Sequence, residues 1–106
     1  MAHLSSLDPR SENETEAVLV FLRAVLDGFG QAAPSSGDAL TLTELPVEDD
    51  ADLLDAGWRW SLNGTPFWGI VGLTEDYGGY ICALDDQGET PEALMVHAAH
   101  MLYPPS

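Results

Sequence analysis

Two segments of the chain repeat apolar residues at the three-to-four spacing of an amphipathic helix. The first, residues 12–27, begins within Ser11-Glu12-Asn13-Glu14, which has the form of a capping box with Ser11 as the N-cap. The second begins with Thr90 as N-cap and Pro91 as the first helical residue, and it continues to Leu102. The pattern therefore predicts one helix near each end of the chain.

Between these helices, apolar and polar residues alternate as they do in strands. Residues 39–45 and 80–84 each predict one strand, and residues 57–73 predict a hairpin. The order of elements indicates an α+β fold. We expect an antiparallel sheet of three to four strands, with a meander over residues 57–84, packed by an N-terminal and a C-terminal helix.

The hairpin contains all three tryptophans on two arms around Asn63-Gly64, a strong signal for a two-residue turn. Such a turn pairs Trp60 with Phe67 and Trp58 with Gly69. Side chains alternate between the two faces of a strand, so one face of the hairpin becomes an apolar core face. Its members are Trp58, Trp60, Leu62, Phe67, Val71 and Leu73.

The opposite face of the hairpin carries Arg59, Ser61, Trp68 and Ile70, and continued register adds Ile81 and Ala83. If both helices cover the core face, Trp68 and Ile70 remain as an exposed apolar patch, which is typical of an interface. We expect this patch to anchor a partner or a homodimer, with Arg59 stacked on the Trp68 indole. The alternative is that the helices divide between the two faces and cover it.

Length and composition indicate one compact domain over residues 11–103, preceded by a flexible lead over residues 1–10. The N-terminus has no basic start followed by an apolar run, and the longest apolar run is too short for a bilayer. Cys82 is the single cysteine, so no internal disulfide forms. We therefore expect a cytoplasmic protein without a membrane partner.

Charge is the most unusual feature of the chain. Eighteen carboxylates face three arginines and no lysine, for a formal net charge of −15. A small domain adjusted for solubility alone carries about 2–8 charges. Direct binding of nucleic acid is excluded, because hardly any cations are available to neutralise phosphates. A basic partner is favoured; the alternative is an acidic or GC-rich proteome in which such surfaces are general.

Three acidic segments are candidates for binding that partner, and together they would form one extended acidic rim. The run 48–55 does not match a calcium loop, which needs a Gly at the sixth position and a Glu at the twelfth. Simple solvation of the loops is the alternative interpretation. The candidate residues are Glu48, Asp49, Asp50, Asp52 and Asp55 in the first segment, Glu75 and Asp76 in the second, and Asp85, Asp86 and Glu89 in the third.

The sequence contains little that indicates catalysis. His97 and His100 share one side of the last helix, but two imidazoles are fewer than the three or four ligands of a zinc site. Histidines near a helix C-terminus also interact favourably with the helix dipole. We therefore expect no metal, no cofactor and no enzymatic activity.

These observations favour a small acidic inhibitor that blocks a basic, nucleic-acid-binding protein in the way duplex DNA would occupy it. Phage counter-defence proteins such as anti-CRISPRs, and immunity proteins that neutralise toxins, share this profile of size and charge. The resemblance is one of composition only, because no residue motif carries it. The alternative function is a non-enzymatic dimeric adaptor or chaperone-like subunit that assembles through the Trp68 face.

Overall fold

Five strands pair antiparallel into one sheet, in the order β1-β5-β4-β3-β2. The structure is a computed structural model and describes residues 4–8, 10–45, 55–75, 78–85, 88 and 90–102. The strands are β1 (Leu4–Asp8), β2 (Leu40–Leu45), β3 (Ala56–Leu62), β4 (Trp68–Thr74) and β5 (Gly79–Leu84). The predicted α+β class and the antiparallel meander are thus confirmed.

The sheet has five strands rather than the expected three to four, and the fifth comes from the segment expected to be a flexible lead. Leu4–Asp8 form β1, which pairs with β5 from Leu4 opposite Leu84 to Asp8 opposite Tyr80. The pairing satisfies the outer backbone groups of β5. Leu7 packs against a cluster of buried residues that includes Ile70 and Ile81. The segment Leu-Ser-Ser-Leu has no alternation, so periodicity could not reveal this strand.

Helix α1 spans Glu14–Val25 and is capped by Asn13, whose side-chain oxygen accepts a hydrogen bond from the Glu16 N–H at 2.8 Å. The predicted cap at Ser11 is wrong, because the Ser11 hydroxyl donates to the Asp8 carboxylate instead. Beyond α1, a 3-10 turn over Leu26–Phe29 ends at Gly30, which adopts a positive φ of 70°.

Helix α2 spans Pro91–Leu102 and starts as predicted. The Thr90 hydroxyl accepts a hydrogen bond from the Ala93 N–H at 3.2 Å, as an N-cap does.

The two helices lie on opposite faces of the sheet. Helix α1 covers the predicted core face, where a cluster forms from Ala17, Val18, Phe21, Leu22, Leu26, Leu40, Trp60, Leu62, Val71, Cys82 and Leu84. Helix α2 covers the other face, where Leu94 and Ala98 pack on Ile70, Ile81 and Ala83. The expectation of an uncovered Ile70–Ile81–Ala83 patch is therefore wrong. A sheet with two apolar faces needs a helix on each.

The register of the hairpin is shifted by two residues from the predicted one. Trp60 lies opposite Gly69 rather than Phe67, and Trp58 lies opposite Val71. The loop spans residues 63–66: the Leu62 carbonyl accepts from the Thr65 N–H, and the Leu62 N–H donates to the Phe67 carbonyl. A shift of two residues leaves every side chain on its predicted face, so the face assignment is correct although the pairs are wrong.

Trp60 explains the observed register. Its buried indole lies across Gly69, and its Nε1 donates to the Ile70 carbonyl oxygen at 3.1 Å. Phe21 of α1 meets the ring edge-on, with centroids 6.3 Å apart. A Cβ at position 69 would lie 2.8 Å from the indole Cζ2 and collide with the Ala83 carbonyl oxygen. Only glycine leaves room for this indole.

We expect Gly69→Ala to lower the free energy of unfolding by at least about 2 kcal/mol, because the added methyl overpacks the contact between Trp60 and the β5 backbone. Urea denaturation measures the effect. Gly28→Ala is the matched control: no heavy atom lies within 4 Å of its added Cβ, so a change within about 0.5 kcal/mol is expected. Equal effects at the two glycines would contradict the assigned role of Gly69.

Candidate functional site

The direction of the strands decides which charged segments meet. Strands β1, β2 and β4 finish at the same end of the sheet at which β3 and β5 begin. Helix α1 also starts there: it packs against β1, and its first residue, Glu14, follows the end of β1 at Asp8 by six positions. The pKa of the Tyr80 hydroxyl is raised by burial and further by this carboxylate. We call this end of the sheet the acidic end.

Of the eleven side-chain carboxylates in the described residues, seven lie at the acidic end. These seven are Asp8, Glu12, Glu14, Glu16, Glu44, Asp55 and Glu75. The other four are Asp27, Asp38, Asp85 and Glu92. Among the described residues, Arg10 pairs with Asp8 at this end. The acidic end therefore carries a concentrated negative charge.

The structure brings two of the predicted segments together at Asp55 and Glu75. The Asp55 carboxylate accepts a hydrogen bond from the Glu75 N–H at 2.7 Å. The Asp55 N–H in turn donates to the Leu73 carbonyl oxygen at 2.7 Å. Both bonds join the start of β3 to the end of β4, so the backbone holds these two acidic residues at a fixed separation. Both residues are exposed.

Several predicted residues lie outside the described part of the chain. They are Glu48, Asp49, Asp50, Asp52 and Asp76 in the first two segments, and Asp86 and Glu89 in the third. The described chain leaves the sheet at Leu45 and returns at Asp55, and both of these residues lie at the acidic end.

Asp8 is held at the acidic end by its own neighbours. Its carboxylate accepts hydrogen bonds from the Arg10 N–H at 2.9 Å and from the Ser11 hydroxyl at 3.1 Å. The Arg10 backbone bond is the largest cause that lowers the pKa of the Asp8 carboxyl; partial burial opposes it, and Ser11 and the Arg10 charge add to it. Asp8 therefore remains ionised and orders the turn that leads into α1.

The third predicted acidic segment lies at the opposite end of the sheet. The Asp85 N–H donates to the Trp68 carbonyl oxygen at 2.9 Å, where β4 begins. The seven residues of β4 separate this point from the acidic end by about 20 Å, more than twice the Debye length of roughly 8 Å at physiological salt. Asp85, the one described carboxylate of the third segment, is therefore separated from Asp55 and Glu75.

Trp68 and Ile70 differ in what they offer to a partner. Ile70 is only 1% exposed because α2 covers it, so it has no surface left for an anchor. Trp68 is half-buried, and the Arg59 guanidinium carbon lies 4.7 Å from the centroid of its ring. The predicted stacking of Arg59 on Trp68 is confirmed. The expected apolar patch is reduced to the outer part of one indole.

The groups that could carry catalysis or bind metal are dispersed. His97 and His100 are exposed on α2, and no set of three or more His, Cys, Asp or Glu side chains converges on a metal position among the residues that the structure describes. Cys82 is buried in the sheet, and burial, followed by the charge of Asp8, raises the pKa of its thiol. The thiol therefore stays protonated and unreactive.

Sequence reasoning missed five residues of the acidic end: Asp8, Glu12, Glu14, Glu16 and Glu44. The three in and before the first turn of α1 were recognised only as favourable to the helix dipole. A signal was present, because strand directions in an antiparallel meander place alternate connections at one end. Using it required β1, which the pattern did not reveal.

Comparison of the chain with protein-family models, with curated proteins and with solved structures gives no significant match. In the described part of the chain, neither helix combines the length and the apolar content that crossing a membrane requires.

We expect Asp8→Asn to lower the free energy of unfolding at neutral pH, by less than about 1 kcal/mol because the site is partly exposed. The lowered pKa of folded Asp8 stabilises the fold above the usual carboxyl value of 3.8, and this stabilisation disappears as pH falls through the folded-state pKa. The difference between wild type and variant should therefore shrink in acid. Urea titrations across the acid range measure it.

The control for this experiment is Ser11→Ala, which removes one hydrogen bond to Asp8 and leaves the carboxylate and Arg10 in place. It should retain most of the wild-type pH dependence. A difference between Asp8→Asn and wild type that stays constant with pH would show that the Asp8 charge does not stabilise the turn.

Proposed function

We propose that this chain is a small acidic binding protein that inhibits a basic, nucleic-acid-binding protein by presenting carboxylates where DNA presents phosphates. One observation carries the proposal: the described carboxylates are concentrated at the acidic end of a chain whose net charge is −15. Proteins that bind nucleic acid obtain much of their affinity by neutralising phosphates. A dense carboxylate surface competes for the same cationic groups.

Exposure of the carboxylates supports this mode of binding. Glu12, Glu44 and Glu75 are exposed, and their carboxylates accept no hydrogen bond from another described residue. Their charges are therefore available to a partner without loss of an internal contact. Long-range attraction between such a surface and a basic protein accelerates association, and salt weakens it.

Order at the acidic end supports it as well. The Asn13 cap, the Asp55–Glu75 hydrogen bond and the pairing of β1 with β5 hold the backbone there in one arrangement. Binding to a surface that is already ordered costs less conformational entropy than binding to a mobile acidic tail. A folded acidic surface can also match a fixed pattern of cations, which provides specificity.

The narrower assignment within this class is an inhibitor of the DNA-mimic type, as in phage counter-defence, anti-CRISPR or immunity proteins. Size and charge support it rather than any residue pattern. The alternative, a dimeric adaptor using the Trp68 face, depended on an anchor that included Ile70. Burial of Ile70 under α2 removes most of the apolar area on which that alternative relied.

Affinity capture from a lysate of the source cells, with the chain as bait, tests the proposal. Bound proteins are washed at low and at high salt, and parallel samples receive sheared duplex DNA as competitor. We expect a basic nucleic-acid-binding protein that salt releases and that DNA displaces. If the captured proteins resist both salt and DNA, DNA mimicry is wrong.

A pair of charge variants then tests the location of the site. Glu12→Gln/Glu44→Gln/Glu75→Gln removes three exposed charges from the acidic end, and Asp27→Asn/Asp38→Asn/Glu92→Gln removes three exposed charges elsewhere. Both variants have the same net charge. At about 0.5–1 kcal/mol for each exposed pair, the first should weaken binding about tenfold to a hundredfold. The second should change it only slightly.

Titration calorimetry or surface plasmon resonance against the captured partner measures the two affinities, and far-UV circular dichroism verifies that both variants fold. Equal loss of affinity in the two variants would mean that net charge alone determines binding, and that the acidic end is not the site.

A further inference from the structure

The two edges of the sheet differ in how well they are covered. Strand β1 lies at one edge and packs against both helices, α1 and α2. Strand β2 lies at the other edge, and within the described residues its extensive packing is with β3 alone. An open edge strand is a template for pairing with another chain. The β2 edge is therefore the more accessible of the two.

Hydrogen-bond geometry identifies the backbone groups that this edge presents. The Asn63 N–H donates to the Ala39 carbonyl, so in this register Thr41, Thr43 and Leu45 direct their backbone groups toward β3. The intervening residues direct theirs outward. The Leu40 N–H is used by Gly37, which leaves the N–H groups of Leu42 and Glu44, and the carbonyls of Leu40, Leu42 and Glu44.

Three common protections of an edge strand, a bulge, a proline and a lysine, are missing from β2. Its six residues pair one-to-one with β3 without a bulge. The strand contains no proline, and the whole chain contains no lysine. Thr41 and Thr43 are exposed and have the branched side chains that favour strands. Natural sheets commonly use a bulge, a proline or a lysine to prevent a further strand from adding.

The charged residues around the β2 edge determine which kind of strand can pair with it. Glu44 lies near the end of β2 and Asp55 lies just beyond that end, and both residues are exposed. A second copy of the chain would bring another net charge of −15 against these groups. An extended segment rich in lysine or arginine meets attraction at the same positions. Charge complementarity thus favours a basic segment over a second copy.

We propose that the β2 edge binds an extended basic segment of a partner protein by strand addition. This inference rests on the proposed function and specifies how the basic partner is held. Side chains alternate along the added strand. Those on the α1 face lie beside Leu40, Leu42 and Glu44, whereas those on the α2 face lie beside Thr41 and Thr43, with Arg59 opposite Thr43 on β3. Lysine or arginine therefore suits the α1 face, where the charge meets Glu44 and the apolar stems lie along the leucines, and small hydroxyl residues suit the α2 face.

The probe for this site is an eight-residue peptide of alternating lysine and threonine, acetylated and amidated at its ends. Two variants of one residue separate charge from backbone pairing. Glu44→Gln removes the charge and keeps the outward N–H, whereas Glu44→Pro removes both. Because that N–H makes no bond to β3, proline is tolerated there as it is on natural edge strands. Circular dichroism and thermal melting confirm that both variants fold.

We expect the peptide to bind the wild-type chain and Glu44→Gln to weaken binding about threefold. Glu44→Pro should weaken it at least tenfold beyond Glu44→Gln. In amide hydrogen exchange followed by NMR, saturating peptide should slow exchange at Leu42 and Glu44 at least tenfold. Thr41 and Thr43, already bonded to β3, should change much less. A peptide methylated at alternate backbone nitrogens keeps the charge and should lose this protection, which tests the pairing even if Glu44→Pro is unstable.

Four outcomes would overturn strand addition. Equal affinity of Glu44→Pro and Glu44→Gln, or salt-sensitive binding without protection of Leu42 and Glu44, would mean attraction by charge alone, and the proposed function would stand. Protection of the same amides in a peptide-free dimer would identify a second copy as the occupant. Absence of peptide binding would exclude an extended basic segment as the occupant of the β2 edge. The lysate capture and the triple variants would still test the proposed function independently.

Discussion

The position of the Trp60 indole across Gly69 is the contact on which the arrangement of the sheet depends. The ring is fully buried, bonded through Nε1 to the Ile70 carbonyl and met edge-on by Phe21 of α1. Because the ring needs a neighbour without a Cβ, β3 pairs with β4 in the register that puts Trp60 opposite Gly69. That register determines which side chains of β4 and β5 reach α1 and which reach α2. The two cores follow from it.

Burial of both faces then restricts where charge can lie. An ionised carboxylate inside either core would be strongly disfavoured, so the acidic residues occupy the ends and edges of the sheet and the helix starts. At the acidic end, three strand ends and the start of α1 converge. Mutual repulsion there opposes folding, and the hydrogen bonds of Asp8, Asp55 and Asn13 oppose that repulsion locally. The fold and the charge distribution are therefore linked.

Local signals predicted the parts of the fold that local physics controls. The start of α2 follows from Thr90 and Pro91, and the faces of the hairpin follow from alternation, which a shift of two residues leaves unchanged. The register itself depends on Trp60 and Gly69, nine residues apart, and β1 depends on pairing with β5 across most of the chain. Neither appears in a periodic pattern. The candidate site was predicted only in part for the same reason: Asp55 and Glu75 meet, and Asp85 does not join them, because of strand directions.

The distribution of exposed polar residues bears on why the chain is acidic. A proteome-wide preference for acidic surfaces predicts carboxylates on every exposed area alike. Yet on the α2 face of β2 and β3 the described polar side chains are Thr41, Thr43, Ser61 and Arg59, and none of these described residues is a carboxylate. At the acidic end, the carboxylates of Asp8, Glu16 and Asp55 each accept a backbone hydrogen bond, which gives these three residues a role within the fold. Glu44 and Glu75 accept no such hydrogen bond, lie at the ends of β2 and β4 on either side of β3, and add repulsion. Their placement favours recognition of a partner over general solubility as the reason for the charge.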